Sequence, residues 1–251
     1  MGKRQVRSEL SLSQEWDTLS RAMYGKDFIA ELAELFKSHN VKTILECGCG
    51  GGHILAGLAE RGFDVVGIDS DKEMIDIARK NYSKLKFELM NWLDLNLLSA
   101  KFDAVMCRGN SLTNVDSWFN RKLAPSHNLI AKLSSIKTSL KIMWGKVRKG
   151  GLLYIDTISQ KEIDSNGGNV NFSRDGINLC GRIIHDWENR ERIINGLGIV
   201  NGKKFSGGTV SYLIKPSEMK ILMADLRPKP SRIGEPNLKN EVNYCVVCAK
   251  K

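Results

Sequence analysis

The 251-residue sequence lacks the apolar runs that membrane insertion and secretion require. It contains no stretch of about 18 consecutive apolar residues, so a transmembrane helix is not expected. A basic segment begins the chain, but no apolar segment follows it, and a secretory signal is therefore not expected either. With 42% hydrophobic and 26% charged residues, the composition is that of an ordinary globular protein. We therefore expect a protein that does not associate with membranes.

Cysteine is also scarce, with six residues in the chain. This number is too small for a disulfide scaffold of this length and favours the reducing cytoplasm. Cys245 and Cys248 form a C-x-x-C pair inside an apolar, strand-like run. Because strand residues three positions apart point to opposite faces, the pair favours neither a zinc ligand set nor a redox site. We expect packed, structural thiols and no metal site.

The net charge is +10, and one segment has no acidic residue at all. The eight basic residues between Asp116 and Asp156 are Arg121, Lys122, Lys132, Lys137, Lys141, Lys146, Arg148 and Lys149. The favoured interpretation of this basic face, residues 121–149, is a solvated helix surface. The alternative, which stays open, is a surface that attracts nucleic acid or an anionic substrate.

The first 160 residues alternate between helical periodicity and short apolar runs. Helical spacing predicts helices over residues 12–39, 54–59, 72–81 and 129–147. Apolar runs predict strands over residues 41–45, 65–68, 87–89, 104–107 and 152–155. Short apolar strands alternating with helices are typical of a parallel sheet covered on both faces, a doubly wound α/β fold. In such sheets, ligands bind at the carboxyl ends of the strands.

The pattern changes after Asp156. Residues 178–187, 190–200 and 208–214 alternate between polar and apolar side chains, and Asn201-Gly202 is a strong hairpin signal. These three stretches predict an antiparallel β insertion over residues 161–214. A helix over 216–226 and a strand over 242–249 complete the main domain, which comprises residues 1–160 and 215–251.

A glycine-rich loop follows the first predicted strand. Its sequence is Glu46-Cys47-Gly48-Cys49-Gly50-Gly51-Gly52-His53. Dinucleotide-binding loops follow G-x-G-x-x-G, and this loop fails at the third glycine. It matches E/D-x-G-x-G-x-G at every defined position, with a carboxylate at the strand end. A carboxylate there suits a cationic ligand such as S-adenosylmethionine, which carries an ammonium and a sulfonium.

Polar residues also follow the next two strands. Asp69 ends the second strand, where a carboxylate can accept hydrogen bonds from both hydroxyls of a ribose. The alternative role for Asp69 is to cap the next helix. Asn91 and Trp92 follow the third strand and are candidates for contacts to a purine, although Trp92 is also suited to the core.

These motifs resemble those of class I S-adenosylmethionine-dependent methyltransferases. The segments Asn91-Trp92-Leu93 and Cys107-Arg108-Gly109-Asn110-Ser111 are similar to the glycine/sarcosine N-methyltransferase branch of that class. The resemblance covers roughly residues 20–160. It implies a doubly wound, mostly parallel seven-stranded sheet, with a substrate-side insertion after strand five.

The resemblance also implies roles for individual residues. Glu46, Gly48, Cys49, Gly50 and Gly52 would hold the amino-acid end of S-adenosylmethionine, and Asp69 would hold its ribose. The adenine would be lined by Ser70, Met74, Asn91 and Trp92. Arg108 and Gly109 would lie near the cofactor, Asn110 at the methyl-transfer centre, and Tyr24 in the acceptor pocket.

One position departs from that branch. Glycine-methylating enzymes carry an arginine just after the acid of strand five, and it binds the glycine carboxylate. Here Asp156 is followed by Thr157-Ile158-Ser159-Gln160, so glycine is not predicted as the acceptor. Arg174 and Arg182 of the insertion are candidate substitutes.

The predicted function is methyl transfer to nitrogen or oxygen of a small-molecule acceptor by in-line displacement, with most of the rate supplied by positioning. Tyr24 and His185 are candidates for a general base, if one is needed. The main alternative is an RNA or protein methyltransferase that uses the basic face. Two others are a cofactor-binding protein without catalysis and, less favoured, a nicotinamide-dependent oxidoreductase. The sequence leaves a homo-oligomer open.

Overall fold

The computed structural model describes residues 10–114, 129–174, 176–200, 202–236, 238–239 and 244–251. The helices are α1 (Leu12–Met23), α2 (Lys26–Ser38), α3 (His53–Ala59), α4 (Lys72–Asn81), α5 (Leu129–Lys146), α6 (Gln160–Asp164) and α7 (Pro216–Ala224). The strands are β1 (Thr43–Cys47), β2 (Asp64–Asp69), β3 (Lys86–Leu89), β4 (Phe102–Cys107), β5 (Val147–Ile158), β6 (Gly167–Arg174), β7 (Ile177–Asp186), β8 (Glu191–Val200), β9 (Lys203–Tyr212), β10 (Arg232–Gly234) and β11 (Tyr244–Lys250). Among the helices of these ranges, none is long and apolar enough to cross a membrane.

The main sheet has seven strands in the order β10-β11-β5-β4-β1-β2-β3. Neighbours from β3 to β5 pair in parallel, and β11 is antiparallel to both β5 and β10. The predicted doubly wound, mostly parallel seven-stranded sheet is therefore confirmed. The three-residue strand β10 was not predicted, because so short a segment has no periodicity to detect.

Apolar clusters cover both faces of this sheet. Ile44 and Tyr154 pack with Phe36 of α2 on one face, whereas Leu45 and Leu153 face the opposite cluster. Adjacent residues of one strand thus enter different clusters, as the alternation of side chains in a strand requires. Burial on both faces explains why these strands are apolar throughout.

The segment predicted to be helical over residues 12–39 consists of two helices. The chain forms α1 and α2, separated at Tyr24 and Gly25. Gly25 has an extended backbone at the N-cap of α2, where its low helix propensity is an advantage. Ser11 begins α1 with a capping box that includes Gln14. The break turns α1 out of line with α2 and allows it to reach the carboxyl edge of the sheet.

The insertion is an antiparallel sheet of four strands, in the order β6-β7-β8-β9, rather than three. The prediction omitted β6 because its sequence, GGNVNFSR, is rich in glycine and asparagine, which have low strand propensity. Pairing with β7 along its whole length compensates for this. The predicted end of α5 at residue 147 was also wrong, because Val147 already begins β5. All six cysteines are free thiols.

Gly52, at the end of the loop between β1 and α3, tests how strictly that loop depends on glycine. Its φ is +79°, and a Cβ at this position would lie 2.6 Å from the Phe87 ring. We expect Gly52→Ala to lower the free energy of unfolding by about 1–2 kcal/mol for the left-handed backbone and about 1–3 kcal/mol more for overpacking. Urea denaturation would measure the loss. Gly62→Ala is the control, because Gly62 has φ +90° in open space and should show the backbone cost alone. Equal losses in both variants would contradict the packing argument.

Candidate functional site

A cavity lies at the carboxyl edge of the main sheet, where β1, β2 and β4 end. Most residues that the sequence singled out line it. They are Tyr24, Gly48, Cys49, Gly50, Asp69, Ser70, Met74, Asn91, Trp92, Arg108, Gly109 and Asn110. Glu46 and Gly52 do not line the cavity: Glu46 is fully buried behind it, and Gly52 packs against Phe87.

The glycine loop curves around the end of β1. Gly48, Gly50 and Gly52 all have positive φ, a conformation that other residues rarely adopt. The amides of Gly48 and Cys49 donate to the carbonyl of Ile68, at 2.9 and 3.0 Å, and so tie the loop to β2. A Cβ at Gly48 would be 3.4 Å from both Ser111 and the Trp92 ring. The glycines therefore keep the backbone open towards the cavity.

Asp69 fixes the loop from the neighbouring strand. Its carboxylate accepts from the amide of Gly50 at 2.8 Å and from the amide of Asp71 at 2.9 Å. The cap of α4 is Asp71, which accepts from Glu73 at 2.9 Å, so the capping role considered for Asp69 belongs to the next acid. Burial raises the pKa of Asp69 to about 6.

A buried ion pair joins β1 to the end of β4. The guanidinium Nε of Arg108 donates to Oε1 of Glu46 at 2.9 Å, and the Tyr24 ring centroid lies 4.8 Å from that guanidinium. Burial raises the pKa of Glu46 to about 7, although Arg108 acts in the opposite direction. Within the described residues, Oε2 of Glu46 and Nη1 of Arg108 are buried without a hydrogen-bond partner. The ion pair therefore keeps one hydrogen-bond acceptor, on Glu46, and one donor, on Arg108, that no described residue uses.

Asp156, at the end region of β5, organises the loop after β4. Its two carboxylate oxygens accept from the amides of Gly109 (2.8 Å) and Asn110 (2.7 Å), and burial raises its pKa to about 6. Gly109 and Asn110 both have positive φ. From the sequence, Asp156 was expected only to end strand five. Its position beside the end of β4, in a parallel pair, is the signal that could have revealed this role.

Two walls of the cavity were missed by the sequence analysis. Helix α1 contributes Trp16, Asp17, Ser20 and Met23, and the insertion contributes Arg192, Ile194, Thr209 and Ser211. Ser111, Asn114 and Tyr244 also line it. These residues carry no local motif, and only the docking of α1 and the second sheet brings them to the glycine loop.

The candidate general bases differ in position. Tyr24 lines the cavity, whereas His185 lines neither this cavity nor the cleft next to it. Nε2 of His185 is 2.9 Å from Oε1 of Glu162, and Glu162 also holds Arg192 through two hydrogen bonds of 2.6 and 2.8 Å. His185 thus belongs to a network that joins α6 to the insertion sheet.

Part of the basic face and one candidate arginine fall outside the described side chains. These are Arg121, Lys122, Lys132 and Arg174. Among the others, Lys146 is buried and donates to the carbonyl of Leu98, and Arg148 pairs with Asp103 at 3.2 Å. Arg148 and Lys149 lie at the beginning of β5, the edge of the sheet opposite the cavity. Arg182 is exposed and does not line the cavity.

Comparison with known proteins gives sequence matches to part of the chain and a structural match to the whole fold. Residues 44–125 match the methyltransferase domain family. Glycine N-methyltransferase of Mus musculus is 31% identical over 163 residues, which cover 60% of this chain and 51% of the mouse protein. Glycine/sarcosine N-methyltransferase of Aphanothece halophytica is 31% identical over 119 residues, 43% of each chain. The chain thus spans about half the length of the curated relatives it matches.

A solved structure matches along the full length. It is the S-adenosylmethionine-bound amino pentose methyltransferase CalS10 from Micromonospora echinaspora, with a TM-score of 0.70 and 16% identity. The match covers 98% of this chain and 99% of that chain, including the antiparallel insertion. At this level of identity the likeness establishes the fold.

The Glu46–Arg108 pair predicts a pH-dependent stability loss. Removing Arg108 leaves a buried, uncompensated carboxylate, so Arg108→Met should lower the free energy of unfolding at pH 8 by about 3–5 kcal/mol. The pKa of Glu46 already lies above its ordinary value of 4.5 and would rise further without Arg108. A carboxyl group whose pKa is raised in the folded state costs no stability at acid pH, where it is protonated, and destabilises the fold as pH rises. The loss in free energy of unfolding caused by Arg108→Met should therefore be smaller at pH 5 than at pH 8.

Urea denaturation of wild type and variant at pH 5 and pH 8 would measure this difference. Arg148→Met is the control, because its ion pair with Asp103 is half exposed and should contribute less than about 1 kcal/mol. The double variant Glu46→Gln/Arg108→Met should recover part of the loss at pH 8. A deficit that is equal at both pH values would show that the buried carboxylate is not its cause.

Proposed function

Because residues 44–125 carry a methyltransferase domain and the whole chain has the class I S-adenosylmethionine-dependent methyltransferase fold, we propose that the protein is such a methyltransferase. We propose further that it transfers the methyl group to nitrogen or oxygen of a small molecule. The observation that carries the proposal is the cavity at the glycine loop, which Arg108 lines, together with the buried Glu46 carboxylate directly behind Arg108; each has a polar atom without a partner within the described residues.

The residues of the cavity fit S-adenosylmethionine. Oε2 of Glu46 and Nη1 of Arg108 lack partners within the described residues, and they complement the ammonium and the carboxylate of an amino acid. The buried carboxylates of Glu46, Asp69 and Asp156 stand against the buried guanidinium of Arg108, because the second buried guanidinium at the cavity, that of Arg192, is already paired with Glu162. This excess of negative charge favours a ligand that is cationic overall.

We propose the following positions for the rest of the cofactor site. Asp69 would hold the ribose, and the adenine would lie among Ser70, Met74, Asn91 and Trp92. The backbone of Gly48, Cys49 and Gly50 would lie along the cofactor, with Gly109 opposite. Gly52 would act through the shape of the loop, because it packs against Phe87 and not into the cavity.

S-adenosylmethionine supplies an electrophilic methyl group on a sulfonium, which suits in-line displacement by an acceptor nitrogen or oxygen. The chain's own contribution is then to orient the acceptor and exclude water. Asn110 and Tyr24 line the cavity and are both almost fully buried, and we assign them to this positioning. No protein nucleophile is required.

The acceptor side is formed by α1 and the insertion, which we assign to residues 161–214 as a subdomain within the domain of residues 1–160 and 215–251. A small molecule fits this enclosure. The alternative acceptors, RNA and protein, are less favoured because Arg148 and Lys149 lie at the opposite edge of the sheet. We keep a cytoplasmic location as a proposal that the six free cysteines support.

Two conservative substitutions test the cofactor site. Glu46→Gln and Asp69→Asn keep side-chain shape and remove a charge, so each should raise the Kd for S-adenosylmethionine at least tenfold, or about 1.4 kcal/mol. Isothermal titration calorimetry would measure the Kd. Asp64→Asn is the control, because Asp64 is exposed at the start of β2, away from the loop. Normal affinity in both site variants would refute the assignment.

The raised pKa values predict how cofactor binding depends on pH. In the unliganded protein the pKa is about 7 for Glu46 and about 6 for Asp69 and Asp156. A cationic ligand favours the ionised carboxylates, so affinity should rise at least tenfold from about pH 5.5 to about pH 7.5. Calorimetry across this interval would measure the rise, and Glu46→Gln should flatten it. Affinity that falls with rising pH would contradict the charge argument.

A further inference from the structure

A second, larger cavity, here called the apolar cleft, opens beside the first between α1 and the insertion sheet. Its volume is about 370 Å³, against about 140 Å³ for the cavity at the glycine loop. Its walls are mainly Leu12, Trp16 and Leu19 of α1 and Phe172, Leu179 and Ile183 of the sheet. Trp16, Met23 and Ile194 line both cavities, so the apolar cleft is continuous with the proposed cofactor site.

Glycines of the insertion sheet line part of the apolar cleft. Gly168, Gly181, Gly196 and Gly208, one from each strand, line it. A Cβ at Gly181 or Gly208 would collide with a carbonyl of the neighbouring strand, that of Asn195 and of Ile194 respectively. The sheet therefore offers apolar side chains separated by backbone, which forms a slot for a flat or extended apolar group.

Among the described residues around the two cavities, no cation is left to pair with a carboxylate of the acceptor near the methyl-transfer centre. Among the described residues that line the two cavities, the cationic side chains are Arg108, Arg192, Lys161 and Arg182. Arg108 pairs with Glu46, and Arg192 makes two hydrogen bonds to Glu162. Lys161 and Arg182 are exposed and line only the apolar cleft. A carboxylate next to the accepting atom would therefore find no counter-charge among the described residues, and burying an unpaired carboxylate is costly.

The cavity at the glycine loop instead offers hydrogen-bond acceptors. Oδ1 of Asn110 and Oγ of Ser211 are buried without a hydrogen-bond partner within the described residues, and both residues line the cavity. They can accept hydrogen bonds from an N–H group. The carboxylates of Glu46, Asp69, Asp156 and Glu162, four in all, stand against the guanidiniums of Arg108 and Arg192 and a cofactor of net charge +1, and this remaining negative charge favours a cationic amine over an alcohol.

We propose that the apolar cleft is the acceptor site and that the acceptor is an amine with an extended apolar body and no carboxylate beside the nitrogen. The inference rests on the proposed function and names its substrate class. The nitrogen lies at Asn110 and Ser211, and the body lies between α1 and the insertion sheet. The bound ammonium first loses a proton to solvent; the nitrogen lone pair then forms a bond to the methyl carbon as the bond from that carbon to sulfur breaks, which leaves a neutral thioether and a methylated ammonium.

Binding to the protein saturated with S-adenosylhomocysteine tests the site without turnover. Calorimetry would compare 4-phenylbutylamine with glycine and with 4-phenylbutanol, and the amine should bind at least tenfold more tightly than either. Transfer of radiolabelled methyl groups to straight-chain alkylamines should give a kcat/KM that rises about fourfold per added methylene until the cleft is filled.

Two adjacent isoleucines provide matched variants. Ile183 lines the apolar cleft, whereas Ile184 is on the other face of β7 and is exposed. Ile183→Ser should weaken 4-phenylbutylamine binding about tenfold, and Ile184→Ser should leave it unchanged. Both variants should bind S-adenosylmethionine like wild type, which shows that they are folded.

The outcomes separate this inference from the proposed function. If wild-type protein binds no S-adenosylmethionine, the proposed function fails. If it binds the cofactor but prefers glycine or 4-phenylbutanol to 4-phenylbutylamine, or if kcat/KM is independent of chain length, the acceptor inference alone is overturned. Equal weakening by Ile183→Ser and Ile184→Ser also overturns it.

Discussion

The Glu46–Arg108 ion pair is the interaction on which the candidate site depends. It joins the end of β1 to the end of β4 in the interior, where a carboxylate and a guanidinium are expensive to bury unless paired. The rings of Tyr24 and Phe28 lie 4.8 and 5.6 Å from the guanidinium, so the junction of α1 and α2 is anchored to the same charge. Three elements that are distant in sequence therefore meet at one pair.

Two further buried carboxylates fix loops along the same edge of the sheet. Asp69 holds the glycine loop and the start of α4 through backbone amides, and Asp156 holds the loop after β4 in the same way. Each acid lies at the end of its strand and holds a loop in a left-handed turn. The result is a rigid edge with surplus buried negative charge, which is suited to a cationic ligand before any ligand is present.

The acceptor side has a different chemistry. Helix α1 and the insertion sheet enclose an apolar cleft whose buried cation, Arg192, is already paired with Glu162. The donor side is thus polar and charged, whereas the acceptor side is apolar. This division explains how the chain combines the methyltransferase fold with the absence of an arginine after Asp156: in our proposal the acceptor has no carboxylate to bind.

The sequence by itself determined the local elements. Helix α4 matches its predicted limits, 72–81, because its periodicity and the Asp71 cap are local signals. The glycine loop and Glu46 were recognisable for the same reason. The sequence also indicated the doubly wound sheet, since strands buried on both faces must be apolar throughout.

Only the tertiary structure decided the remaining parts. Strand β6 exists because β7 pairs with it, although its own sequence favours a loop. The role of Asp156, the partner of Glu46 and the walls formed by α1 and the insertion depend on residues that are dozens of positions apart. No periodicity or spacing encodes such contacts, because they form only when the packing of the sheet and its insertion brings the strand ends together.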